Sequence, residues 1–133
     1  MNDAMPVAHR IATLREVGET AVATGEFSFA LRDFLDGFYA QPDSGALGEM
    51  PPRLAGAMAD GERFDAYLGA VAEHLSRERR WTVPSWARAA SRYLDAPWFG
   101  MNSHGGRMIL LAESPAAFRV RNIFVSENAL TRA

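Results

Sequence analysis

Cysteine is absent from the 133-residue chain, so a disulfide framework, a thiolate metal site and a cysteine nucleophile are all excluded. Lysine is absent too: all fourteen cations outside histidine are arginines. The coding bias of a high-GC genome accounts for this as well as a demand for bidentate pairing with phosphate or carboxylate does, and composition leaves both open. Long apolar runs are also missing. The longest, Met108 to Ala112, falls far short of the ~20 residues needed to cross a bilayer. Met1 to Val7 carries no basic stretch followed by an apolar core, so it does not read as a secretory signal and is expected to be flexible. A cytoplasmic location is the resulting expectation.

What is present is ordinary for a globular protein: 48% hydrophobic and 23% charged residues. The length suits one domain over 1–133 and can bury a core without metals or disulfides. The charge is lopsided. Residues 1–75 hold twelve acids and five arginines, a balance of −7, whereas residues 76–133 hold four acids and nine arginines, a balance of +5. Either the two halves neutralise each other on folding, or the second presents a basic face to an acidic partner.

Apolar periodicity predicts an all-α fold, an irregular bundle of about five to seven helices. Ile11, Leu14, Ala21 and Val22 recur at near-helical spacing up to Gly25, a natural stop. Phe27, Leu31, Phe34, Leu35 and Phe38 form one stripe of a second helix, ended by Pro42. Pro51 and Pro52 suit the first turn of a short helix to Ala59, and Asp60 is a candidate N-cap for the next. That helix runs to about Arg80 on Phe64, Leu68, Val71 and Leu75, with acids leading and arginines closing it. Pro84 to Tyr93 is expected as another short helix. Arg107 to Glu113 is helix or buried strand, with helix preferred for want of an alternating partner. Ser114-Pro115 is expected to cap a helix through Arg121, Asn122 to close it in a left-handed conformation, Ile123 to Val125 to be extended, and Ser126 to cap a last short helix.

Motifs for chemistry are lacking. His9, His74 and His104 are far apart in sequence, and Glu73-His74 diverge by about a hundred degrees on a helix, so a metal site would need ligands gathered from distant segments. Gly105-Gly106 lacks the Lys-Ser/Thr of a P-loop and reads as a turn. No Gly-x-Ser-x-Gly elbow is present. Asp33 and Asp36 read as a solvated helix face. A helix-turn-helix around Gly25 would send Asp33 and Asp36 toward phosphates with only Arg32 to oppose them. No cofactor, metal or catalytic residue is assigned.

The most suggestive stretch interleaves Arg77, Arg79, Arg80, Arg88 and Arg92 with Trp81, Trp86, Tyr93, Trp98 and Phe99, and it holds all three tryptophans. Three readings stay open: a core with arginines at its rim, a protein interface rich in Trp, Tyr and Arg, or a stacking platform for single-stranded nucleic acid. Arg119 and Arg121 lie two apart and would face different directions on a helix. One of them is expected to pair with Glu113 or Asp95.

The run Arg92-Tyr93-Leu94-Asp95-Ala96-Pro97-Trp98-Phe99, followed by Glu113-Ser114-Pro115-Ala116-Ala117-Phe118-Arg119 and Arg121-Asn122-Ile123-Phe124-Val125-Ser126, resembles a family of short uncharacterised proteins of high-GC bacteria. The likeness extends more loosely over Phe34-Leu35-Asp36-Gly37-Phe38-Tyr39 and Asp65-Ala66-Tyr67-Leu68. It implies the accessory or antitoxin side of a pair whose other member is a nucleotidyltransferase-type toxin, and it carries no catalytic residue over. The expected function is therefore a non-enzymatic protein-binding module, free to form homo-oligomers. Arg77, Arg80, Trp81, Trp86, Arg88, Arg92, Trp98, Arg119 and Arg121 are its candidate partner-binding residues. A small nucleic-acid-binding regulator using stretch 77–99 is the alternative.

Overall fold

In the computed structural model, the structure describes residues 10–131; the expectation for residues 1–7 and the role weighed for His9 lie outside them. Helix α1 (Leu14–Thr24) starts where the Thr13 hydroxyl accepts from Glu16 N–H and the Glu16 carboxylate reaches back to Ala12 N–H. It stops at Gly25, whose φ of 77° is left-handed. Helix α2 (Phe27–Ala40) buries all five members of its apolar stripe, from Phe27 to Phe38, and packs on α1. A short α3 (Gly45–Gly48) inserts Ala46 and Leu47 into the core from a stretch whose composition reads as loop.

Helix α4 (Gly61–Glu78) is the long central element, with a short later helix (Ala116–Arg119) and two 3-10 turns packed against it. Asp60 precedes it as expected, but in a left-handed conformation and without a side-chain cap bond. Gly61 is obligatory, because a Cβ there would run into the Leu54 carbonyl and the Ala55 nitrogen.

The helix predicted at Pro51–Ala59 is replaced by extended chain and turns. The reason is tertiary. The Asp65 carboxylate of α4 accepts the backbone N–H groups of Leu54 (2.7 Å) and Ala55 (3.1 Å), and Arg92 takes the Pro51 carbonyl (2.9 Å). Those groups cannot also serve a helical ladder. Residues 84–93 form the two 3-10 turns, Ser85–Arg88 and Ala90–Arg92, not one helix.

Strand β1 (Trp98–Phe99) pairs in parallel with β2 (Ile123–Phe124), Trp98 opposite Ile123 and Phe99 opposite Phe124. Residues 107–113 are helical, as preferred, within α5 (His104–Glu113), which is capped by the Ser103 hydroxyl accepting Gly106 N–H. Helix α6 (Ala116–Arg119) is shorter than expected, and Asn122 has a left-handed φ of 65°. Ser114 does not cap α6. Its hydroxyl lies 2.6 Å from the Leu110 carbonyl and accepts Val125 N–H at 2.9 Å, stapling the end of α5 to the residue that follows β2. Ser126 likewise caps no helix: it accepts Asn128 N–H in a local turn, and Leu130 anchors the following chain in the core. One hydrophobic core runs from Ile11 to Leu130, and the fold is all-α with six α-helices among the described residues. None of these helices is long and apolar enough to cross a membrane.

Candidate functional site

The arginine–aromatic stretch does not form one surface. Its Arg92, and Arg121 from beyond it, are inside. Arg121 is fully buried: Nη1 donates to Glu73 Oε1 (2.8 Å) and to the Ala117 carbonyl (2.8 Å), and Nη2 donates to the Ala87 carbonyl (2.6 Å). Arg92 is also buried, 3.3 Å from Asp65 and bound to the Pro51 carbonyl. Trp86 is buried as well, its indole N–H donating to the Leu47 carbonyl (3.0 Å) with the Arg92 guanidinium 5.0 Å from its ring centre. These three partner-binding assignments are corrected by the fold: each residue is consumed in holding irregular segments to α4. The pairing expected for Arg119 or Arg121 with Glu113 or Asp95 is also replaced. Arg121 goes to Glu73, while Arg119 donates to the Ser114 carbonyl (2.7 Å).

The acids that receive these guanidinium groups lie on one stripe of α4. Asp65, Gly69 and Glu73 are spaced i, i+4, i+8, so they share a face. Gly69 makes the room: a Cβ there would press on Arg92 Cβ, the Ala87 carbonyl and Arg121 Nε. Burial pushes the Glu73 carboxyl up. Hydrogen bonds from Arg121 and Arg77 outweigh this, and the group titrates below its ordinary value. These residues are structural, and the spacing of two acids about a central glycine is the signal that would have revealed them.

The remaining members of the stretch are scattered. Arg77 reaches solvent but is bound to Glu73 at 2.7 Å, and Arg88 lies 4.0 Å from the same carboxylate. Arg80 is exposed and Trp81 half-buried, both on a shallow hollow with Pro84 and Trp86. Arg79 stacks on Phe38 and Trp81. Trp98 is half-buried elsewhere, packed under the Arg63 guanidinium.

The surface that sequence reasoning missed is α5. Its narrow inner edge, Gly106 and Leu110, is buried, while Met108 (55% exposed), Ile109 (55%) and Leu111 (45%) face outward with Met101 beside the helix start. Gly105, Met108, Ile109 and Ala112 follow i, i+3, i+4, i+7, a second apolar stripe on the side away from the core. The run was read as helix or buried strand; the helix buries one edge, and its outward half is left uncovered among the described residues.

Among the described residues, no three His, Asp or Glu side chains converge to hold a metal. His74 is 3.3 Å from Glu78 on α4, and His104 is exposed at the start of α5. Comparison with known protein families, with curated proteins and with solved structures finds no match.

Proposed function

We propose that this chain is a non-enzymatic protein-binding module that offers the outward face of α5 to another protein. The observation that carries this is the second apolar stripe, on a helix whose opposite edge already anchors it to the core. A contiguous exposed apolar face on a small domain marks an interaction surface. Anchors spaced i, i+3, i+4, i+7 suit a helix laid into a partner's groove. The likeness in the C-terminal third points to a nucleotidyltransferase-type toxin as that partner, with this chain as its accessory or antitoxin-like member. Binding would act by occluding the partner.

The nucleic-acid alternative has less support. Of Arg77, Arg79, Arg80 and Arg88, only Arg80 lacks an acid or ring partner among the described residues. Co-expression with the product of the neighbouring gene, followed by size-exclusion chromatography with light scattering, tests the proposal. A stable complex at micromolar concentration is expected, lost in the Met108→Glu/Ile109→Glu double variant and kept in Arg80→Ala. Absence of a complex, or one indifferent to the α5 substitutions, overturns it.

A further inference from the structure

Away from α5, a half-open groove of about 410 Å³ lies between α2, α4 and the β1–β2 region. That volume is at the lower end of the ~300–1,000 Å³ typical of small-molecule sites. Its floor is aromatic. Phe27 and Phe64 stack at 4.2 Å, Tyr67 meets Phe27 edge-on at 5.8 Å, and Trp98 closes the side. Two cations stand on it and none of its lining residues is acidic. Arg63 is held with its guanidinium 4.7 Å from the Phe64 ring centre and 4.5 Å from that of Trp98. Its only ion pair among the described residues is with exposed Asp60 at 3.6 Å, of a kind that contributes little. Arg32, one turn along α2 from Ser28, is exposed and has no ion-pair partner among the described residues. The Tyr67 hydroxyl is pushed up to about 12 by burial and stays a neutral donor at physiological pH.

We propose that this groove binds a small amphipathic carboxylate, its hydrocarbon body on the Phe27–Phe64–Trp98 floor and its carboxylate at Arg32 and Arg63. An apolar floor bounded by two guanidinium groups and no acid fits one negative charge at the end of an apolar body. Guanidinium pairs with a carboxylate through two parallel N–H donors, which also fixes its orientation. A bare inorganic anion would leave the floor unused, and a neutral chain would leave the cations unused.

Full-length protein labelled with ¹⁵N gives three indole N–H cross-peaks, one for each tryptophan. A Trp98→Phe variant identifies the one in the groove. The Trp86 peak, bonded to the Leu47 carbonyl, serves as an internal reference. Titration with octanoate is expected to move the Trp98 peak saturably and leave Trp86 in place. Inorganic phosphate should not move it, and 1-octanol should bind more weakly than octanoate. Arg32→Gln, a change at an exposed position, should weaken octanoate about fivefold to tenfold and leave 1-octanol unaltered. Equal affinity for octanoate and 1-octanol, a saturable response to phosphate, or an Arg32→Gln effect within twofold would each overturn the proposal.

Discussion

Along α4, Asp65 and Glu73 point into the protein, where Arg92 and Arg121 meet them; along α5, Met108, Ile109 and Leu111 point out of it toward solvent. Burying a carboxylate costs several kcal/mol unless it is paired and its remaining acceptors are filled. The α4 acids are compensated in this way. The two buried guanidinium groups that pair with them also take up carbonyls that the surrounding chain leaves free: Pro51 for Arg92, Ala87 and Ala117 for Arg121. The ion pairs therefore stand in for the backbone ladders missing from residues 51–60 and 84–93. On α5 the opposite holds. Outside Gly106 and Leu110 its hydrocarbon is left largely exposed among the described residues, and that is the surface on which the proposed binding role rests. Polarity alone is thus a poor guide to position in this molecule: two arginines are buried as scaffold, while methionines stand exposed on and beside α5.

The largest loss of stability is expected at Arg121. Replacing it with Met leaves Glu73 buried with only the partly exposed Arg77 and distant Arg88, and frees two buried carbonyls. Removing one partner of a buried pair costs about 3–5 kcal/mol, and a fall in melting temperature on the order of 10 °C or more is expected by circular dichroism. Arg77→Ala, which removes a guanidinium whose side chain is 61% exposed, should cost only about 0.2–1 kcal/mol. Equal losses for the two variants would show that Glu73 is not the buried anchor described above.

Much of this was legible in the sequence where a local rule decided the outcome. The stripe of Phe27, Leu31, Phe34, Leu35 and Phe38, the stop at Gly25 and the left-handed Asn122 all follow from spacing or from one residue's conformational range. The failures lie where distant groups decided it. Pro51 and Pro52 favour a helix start, yet Asp65, more than ten residues on, claims the N–H groups of Leu54 and Ala55. Trp86, Arg92 and Arg121 have the composition of a hot spot, but nothing local says that Gly69 opens a slot for two of them against α4. Of the nine candidate contact residues, the structure leaves Arg77, Arg80, Arg88 and Arg119 exposed and Trp81 and Trp98 half-buried, on separate parts of the surface. Apolar character located α5; which side of it is covered depends on the single edge of Gly106 and Leu110.

Acid should sharpen the same contrast. The Glu73 carboxyl titrates below its ordinary 4.5 in the folded chain, so folding favours the ionised form. The unfolded chain then takes up protons first as the pH falls. The stabilisation is complete above about pH 4.5 and is lost as the pH drops through the lower, folded value. In urea unfolding followed from pH 7 to pH 3, Glu73→Gln should be less stable than the parent chain at neutral pH, and the gap should narrow below pH 4.5. A gap that stays constant would mean the carboxylate's charge contributes nothing.

The smallest expected effect on stability is on α5, and its smallness is the point. Met108 and Ile109 are already more than half exposed, and Met and Glu have similar helix propensities, so folding has little to lose when charge replaces hydrocarbon there. Met108→Glu/Ile109→Glu should lie within about 0.5 kcal/mol of the parent in urea unfolding, the usual range for surface substitutions. Leu110→Ala, one position along, empties a buried site beside the Ser114 staple and should cost about 2–5 kcal/mol. If the double variant were as damaging as Leu110→Ala, the outward side chains would be part of the fold's own packing and unavailable to a partner. If instead it is neutral for folding, any complex it abolishes is lost at the surface itself, because the chain presenting that surface is unchanged.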